Sequence, residues 1–407
     1  MEMKKRFLFS NLMERIDADD RIIIITGPRQ SGKTTLLKQV SAELKKNSRD
    51  TYFFNLEDKD YLTAFDESPK NLLKLIPKDR KAFVFVDEIQ YLKDPSNFLK
   101  YLYDEHRENI KLIVSGSSAF YIDDKFDDSL SGRKWLLTLY PMGFKEYLYF
   151  RDENLYRRCL IDHVDILQPS VRREIESLFE DYILYGGFPA VVTRMDNDLR
   201  KEILNEIINS FLKKDIKDSN IKDEDKFYHV LKLLAAQIGN LVNKNEICKT
   251  VGISQSAVER YLYVLRKTFY ISLIGPFFNN ISKEISKMPK VFFFDNGIRN
   301  MLLKNFTPLE VRFDKGSMLE NTVFRYFADT RNPGEIKFWR KKAGAEIDFV
   351  VNANAYEVKY STGTIKTHQL QSFKTTHPEI DLSVLFYRGE DSSAGITNQY
   401  IPGFLLK

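Results

Sequence analysis

Ile22-Ile-Ile-Ile-Thr26-Gly27-Pro28-Arg29-Gln30-Ser31-Gly32-Lys33-Thr34-Thr35 is the stretch on which the fold turns. Four consecutive isoleucines make a run that is apolar on both faces, the signature of a strand inside a parallel sheet covered by helices. Two glycines then bracket a turn, and a helical pattern begins at Lys33. Such a turn aims backbone N–H groups and a helix N-terminus at one point, where they attract an anion. The spacing G-x-x-x-x-G-K-[ST] is complete, and its strand-to-helix context is the one that the motif requires.

In this motif the glycines let the backbone wrap a chain of phosphates, Lys33 reaches the terminal ones, and Thr34 holds magnesium. Gly27, Pro28, Arg29, Gln30, Ser31, Gly32, Lys33, Thr34 and Thr35 are therefore the expected ATP-binding residues, with Mg2+ as the companion ion. A second motif, Ala82-Phe-Val-Phe-Val-Asp87-Glu88, ends an apolar strand in two acids. Asp87 is expected in the magnesium shell, and Glu88 is placed to orient and deprotonate the attacking water. The pair implies hydrolysis as well as binding. A third strand ends at Val114-Ser115-Gly116-Ser117-Ser118, which resembles the polar sensor by which AAA+ ATPases feel the γ-phosphate; Ser115 is the first candidate and Ser117 stands behind it. Arg133, in Leu130-Ser-Gly-Arg133, could reach the γ-phosphate of a neighbouring subunit in a homo-oligomer, or could equally be a surface arginine.

Working outward, 407 residues exceed one hydrophobic core and call for several domains. With 43% apolar and 29% charged residues the composition is that of an ordinary globular protein, neither disordered nor fibrous. Sixty-two basic residues against 57 acidic ones leave a charge of only +5, so bulk charge does not announce a polyanion partner. Cys159 and Cys248 have no paired spacing, which argues against a disulfide framework or a thiolate zinc site. Neither a signal peptide nor a membrane span is read, since Ile22–Ile25 and Val291–Phe294 are only strand-length, and a cytoplasmic location is expected.

The expected organisation is an α/β multidomain chain in four parts: a parallel-sheet core at 1–145, a helical lid at 146–222, a winged helix-turn-helix at 223–285 and a second α/β domain at 286–407. Strands are read at Arg21–Thr26, Thr51–Asn55, Ala82–Asp87 and Lys111–Ser115 in the core, with a Gly-Gly-Phe-Pro break at Gly186–Pro189 in the lid. A short helix, a turn through Gly252 and a helix capped by Ser254 give the helix-turn-helix; in a DNA reader Gln255, Ser256 and Arg260 would face the groove. The last part holds Glu320 on a helix, Asp348 on a strand and Glu357-Val-Lys359 on the next. Period-two alternation sends Glu357 and Lys359 to one sheet face. Glu320, Asp348 and Glu357 could hold a metal and, with Lys359, activate water on a phosphodiester. Gln369 opens the next helix, and its place is similar to that where related nucleases carry a supporting glutamine.

With Val86-Asp-Glu-Ile-Gln90, Tyr185-Gly-Gly-Phe-Pro189, Pro289-Lys-Val-Phe-Phe-Phe-Asp-Asn-Gly297 and Lys315-Gly-Ser-Met-Leu-Glu-Asn321 added, the chain resembles a bacterial and archaeal family of P-loop AAA+ ATPases whose C-terminal domain of unknown function has a restriction-endonuclease-like PD-(D/E)XK core. Members usually have Thr-Gly-Ser where this chain has Ser115-Gly-Ser, and the hydroxyl is kept. The resemblance implies an ATPase core, a winged-helix segment and a nuclease-like C-terminus acting on DNA, in processing or defence. The alternative is an ATP-driven switch or assembly factor whose C-terminal domain binds protein and has lost its chemistry.

Overall fold

The isoleucine run becomes an inner strand of a parallel sheet in a computed structural model that describes residues 3–77, 79–116, 130–162, 166–219, 221–278, 287–341, 344–362, 367–389 and 397–407. Contacts divide the chain into two units, Met1–Tyr140 with Lys267–Phe269, and Pro141–Arg266 with Tyr270–Lys407.

In the first unit, β1 (Ile22–Thr26), β2 (Asp50–Asn55), β3 (Ala82–Asp87), β4 (Ile110–Ser115) and β5 (Lys134–Thr138) lie in the order β2-β3-β4-β1-β5. Every pairing is parallel. Strand alternation feeds two cores from one wall: Ile22 and Ile24 join Val84, Val86, Phe65 and Leu99 on one face, while Ile23 and Ile25 join Phe85, Leu36, Val40 and Leu12 on the other. Each fully buried isoleucine stabilises the fold by about 2 kcal/mol. Helices Leu8–Ala18 and Lys33–Lys46 cover one face; Lys59–Glu67 and Pro95–His106 cover the other. The edge strand β5 was not among the expected strands, because Lys-Trp-Leu-Leu-Thr is half-buried and lacks the continuous apolar run of its neighbours.

The second unit begins with helices Phe144–Arg151, Glu153–Leu160, Pro169–Tyr185, Pro189–Val192 and Asn197–Asp218. Helices Glu224–Ala236, Lys244–Val251 and Gln255–Lys267 follow, then β6 (Ile271–Ile274), which pairs antiparallel with β7 (Lys290–Phe293). The Asn243 side chain caps the second of these helices, Gly252 ends it in the left-handed region, and the Ser254 hydroxyl accepts the Ala257 N–H at 3.2 Å. After helices Asn296–Leu303 and Lys315–Thr330 comes a mixed sheet of β8 (Ile336–Arg340), β9 (Glu346–Val351), β10 (Asn354–Ser361), β11 (Asp381–Arg388) and β12 (Thr397–Tyr400), in the order β12-β11-β10-β9-β8. The β8-β9-β10 pairings are antiparallel, and β10-β11-β12 are parallel.

Two of the quoted motifs turn out to be one packing knot. Asp295, buried ahead of helix Asn296–Leu303, accepts the Ile298 N–H at 3.0 Å and the Gly187 N–H at 2.7 Å. A side chain at either glycine contact is excluded: a Cβ on Gly187 would lie 2.0 Å from the Met142 carbonyl oxygen, and one on Gly297 2.1 Å from that of Tyr185. Burial pushes the Asp295 carboxyl up to about 6 against the pull of its N–H donors.

Candidate functional site

The loop after β1 is shaped by three unusual backbone positions: Gly27 at φ 145°, Gln30 at 61° and Gly32 at 98°. Gly27 runs so close to the end of β5 that a Cβ there would sit 2.2 Å from the Leu139 carbonyl oxygen. Helix Lys33–Lys46 starts directly behind, so the positive end of its dipole faces the loop. The Lys33 ammonium, buried, donates to the Gly27 and Pro28 carbonyls at 2.9 Å each, folded back over the loop that would hold phosphates. Pro28 is buried, Arg29 half-buried, and Gln30 and Thr35 exposed.

Strand order brings the expected partners to this loop. Because β4 lies between β1 and β3, with Ile25 opposite Ser115 and Val86 opposite Val114, the tips of all three strands meet. The buried Asp87 carboxylate takes the Thr34 hydroxyl on one oxygen at 2.7 Å and the Ser115 hydroxyl on the other. A carboxylate and a hydroxyl in contact at the foot of an anion cradle fit a magnesium ion that also touches phosphate. Glu88 is half-buried, at φ 59°, and accepts the Gln90 amide. Arg6 is a residue that the sequence reading missed: its buried guanidinium donates to the Ser31 carbonyl at 2.6 Å and to the Tyr140 carbonyl at 2.8 Å, fastening the loop. Nothing local marks it, since the contact spans 25 residues.

Arg133 precedes Lys134, which pairs with Ile22 at the start of β1, so it stands at the opposite end of the sheet from Gly27. That is roughly 15 Å away, and it cannot reach the loop of its own subunit. Its guanidinium pairs with Asp104 at 2.8 Å. Ser117 lies outside the described residues. On helix Gln255–Lys267, Gln255 and Ser256 are exposed. Arg260, expected to face a groove, is exposed and sends one N–H to the Ser219 carbonyl at 2.6 Å. Glu259 beside it pairs with Lys244.

The second unit gathers the other expected residues. Asp348 on β9 accepts the Val358 N–H of β10 at 2.8 Å, and Glu357 bonds to Lys359 on the same face. Glu320 reaches the cluster from helix Lys315–Thr330. The carboxylates expected to share a metal instead share a lysine. The Lys290 ammonium, 3% exposed, bonds to Glu346 and lies 3.8 Å from Asp348 and 4.0 Å from Glu320. Among the described residues no group of three or more His, Cys, Asp or Glu is arranged to hold a metal ion. Burial, then the Asp348 charge, pushes Glu320 and Glu357 well above the usual carboxylate range. Burial pulls Lys290 down, but Glu320, Asp348 and Glu346 outweigh it and keep the amine charged. Gln369 is half-buried in the first turn of helix Thr367–Thr376. Lys290 opens an apolar strand in the quoted Pro-Lys-Val-Phe-Phe run, and a lysine in that setting was the available signal.

Residues 19–148 match the family described as "AAA domain", 176–309 a "Domain of unknown function (DUF8612)" and 315–402 a "Domain of unknown function (DUF4143)". The chain is 26% identical over 407 residues to an uncharacterized protein of Haemophilus influenzae, covering 95% of each chain. It is 26% identical over 395 residues to an uncharacterized protein of Methanocaldococcus jannaschii, covering 91% of this chain and 83% of that one. Among solved structures it is similar to the Thermotoga maritima RuvB Holliday junction branch migration motor, at 17% identity and TM-score 0.34, covering 65% of this chain and 88% of that one. It is also similar to a replication initiator DnaA bound to AMPPCP and single-stranded DNA, at 13% identity and TM-score 0.30, covering 64% and 86%. The first unit carries an AAA domain on a five-stranded parallel sheet typical of the P-loop AAA+ fold. No helix of the described residues is long and apolar enough to cross a membrane.

Proposed function

We propose that the protein is a Mg-ATP-dependent ATPase. The observation that carries this reading is the convergence of Thr34 and Ser115 on the two oxygens of Asp87 beside the Lys33 loop. Lys33 exchanges the Gly27 and Pro28 carbonyls for the terminal phosphate oxygens, and the loop N–H groups hold the rest of the chain of phosphates. Thr34 and Asp87 would hold magnesium, which supplies charge neutralisation on the phosphates. Glu88, held by Gln90 in this structure, accepts a proton from the attacking water once freed, and Ser115 ties the state of Asp87 to the γ-phosphate. Phosphate release by purified protein tests this: Lys33→Ala is expected to lose binding and turnover, Glu88→Gln to lose turnover while keeping ATP bound. Absence of release by the unaltered protein sinks the reading.

For the second unit we infer an effector that ATP turnover switches. Helices Lys244–Val251 and Gln255–Lys267 followed by the β6–β7 hairpin support a winged helix, and the mixed sheet with Asp348, Glu357 and Lys359 on adjoining strands supports a nuclease-like fold. DNA is the partner this pairing fits. Lys290 among the carboxylates favours a switch over a working nuclease. Magnesium-dependent cleavage of linear and circular DNA, with and without ATP, decides between them. Cleavage that Glu357→Ala removes would restore the nuclease, and no cleavage alongside phosphate release supports the switch.

A further inference from the structure

We propose that Lys290 is the built-in cation of a latent divalent-metal site, standing where a magnesium- or manganese-like ion would bind between β9, β10 and helix Lys315–Thr330. The inference deepens the reading of the second unit as a nuclease-like effector and uses no nucleotide chemistry. Four carboxylates, Glu320, Glu346, Asp348 and Glu357, face two ammonium groups, Lys290 and Lys359. Lys290 stands among three of these carboxylates, and one acceptor of the fourth is left over: Glu357 is 4% exposed, and its Oε2 has no hydrogen-bond partner among the described residues. A buried acceptor left in this way is costly, and a cation of higher charge would satisfy it.

The lysine is held by its backbone and not by the carboxylates alone. Lys290 pairs with Ile274 on one side of β7 and bridges Leu241 on the other. The Asn321 side chain accepts the Phe293 N–H at 2.7 Å and donates to the Phe293 carbonyl at 2.9 Å. Phe292 stacks on Phe324 with ring centroids 5.1 Å apart. Strand β7 is thus fastened to the same helix that carries Glu320, and only the Lys290 side chain can leave. Its nitrogen stands 3.8 and 4.0 Å from Asp348 and Glu320, whereas a divalent ion binds oxygens at about 2.0–2.6 Å. Removing the lysine stem frees the centre and lets the carboxylates close on a smaller, more highly charged ion.

The test is manganese binding to the full-length, nucleotide-free chain, read by electron paramagnetic resonance, for the unaltered protein, Lys290→Met, Lys290→Arg and Lys290→Met with Asp348→Asn. Lys290→Met is expected to gain one manganese site per chain, at least tenfold tighter than anything in the unaltered protein or in Lys290→Arg, and the added Asp348→Asn to abolish it. An Asp348-dependent site already present in the unaltered protein, or no gain in Lys290→Met, overturns the proposal. Should Lys290→Met fail to fold, refolding it with millimolar manganese decides the matter: rescue that Asp348→Asn cancels supports the proposal, and no rescue overturns it. Phosphate release is a separate readout, so failure here leaves the ATPase reading standing, and the converse holds.

Discussion

Replacing Asp295 by alanine should destabilise the second unit in acid and hardly at all near neutrality. Alanine removes the cap on Ile298 N–H, about 1 kcal/mol, and strands the buried Gly187 N–H, about 2 kcal/mol. Against that stands the carboxylate's own burden. Its pKa rises from the ordinary 3.8 to about 6, so the native state holds the proton longer than the unfolded chain. Stability contributed by Asp295 is therefore greatest below the unfolded value and falls as pH rises from 3.8 through 6. The full shift corresponds to roughly 3 kcal/mol, of which about 1 is already felt near pH 4.5. Alanine escapes this burden, so the net loss should be about 2 kcal/mol near pH 4.5 and close to zero near pH 7.5. The two tryptophans, Trp135 and Trp339, lie one in each unit, so urea unfolding followed by Trp339 fluorescence in a Trp135→Phe background isolates the right transition. A loss that is equal at both pH values, or larger at the higher one, would refute the reasoning.

Gly27→Ala forces a Cβ to 2.2 Å from the Leu139 carbonyl at φ 145° and should abolish ATP binding and lower first-unit stability by more than about 2 kcal/mol, read by calorimetry; wild-type affinity would contradict it. Arg6→Ala loosens the loop at Ser31 and should weaken ATP about tenfold, equivalent to roughly 1.4 kcal/mol, in a fluorescent-nucleotide titration. Gln90→Leu releases Glu88 and should change turnover while leaving ATP affinity within about twofold. Arg133→Ala should cut turnover by about a hundredfold or more without loss of binding if the arginine serves a neighbouring subunit. Mixing it with Glu88→Gln chains should then restore part of the activity, and additive residual rates would mean that Arg133 only pairs with Asp104.

What could be read from the sequence was what is local. The glycine spacing, the isoleucine run and the acid pair after Val86 each express backbone rules that act over a few residues, and the sheet built on them is parallel as expected. Period-two alternation placed Glu357 beside Lys359 for the same reason. The missing pieces come from pairings over long separations. Arg6 reaches Tyr140 across 134 residues, and Gly187 finds Asp295 across 108, so the two glycine-bearing motifs looked like independent features of a lid and a strand. Lys290 precedes Glu320 by helix Asn296–Leu303, and Glu346 and Asp348 by a second helix and β8 as well, and only the packing of β7 on helix Lys315–Thr330 reveals the pairing. Strands β11 and β12 carry no acid–lysine pair like that of β10, and it is their pairing, β10 to β11 and β11 to β12, that defines them.

The double-sided burial of β1 has a consequence for motion. Both edges of the strand are paired, to β4 and β5, and both faces are covered, so its amides have no local route to solvent. They should exchange with deuterium only when the whole sheet opens, on the slowest timescale of the first unit. Gln30, four residues beyond its end, is exposed and turned to φ 61° and lacks that protection. Rigidity ends and freedom begins within a few residues, which lets the loop answer to a ligand while the strand behind it stays still.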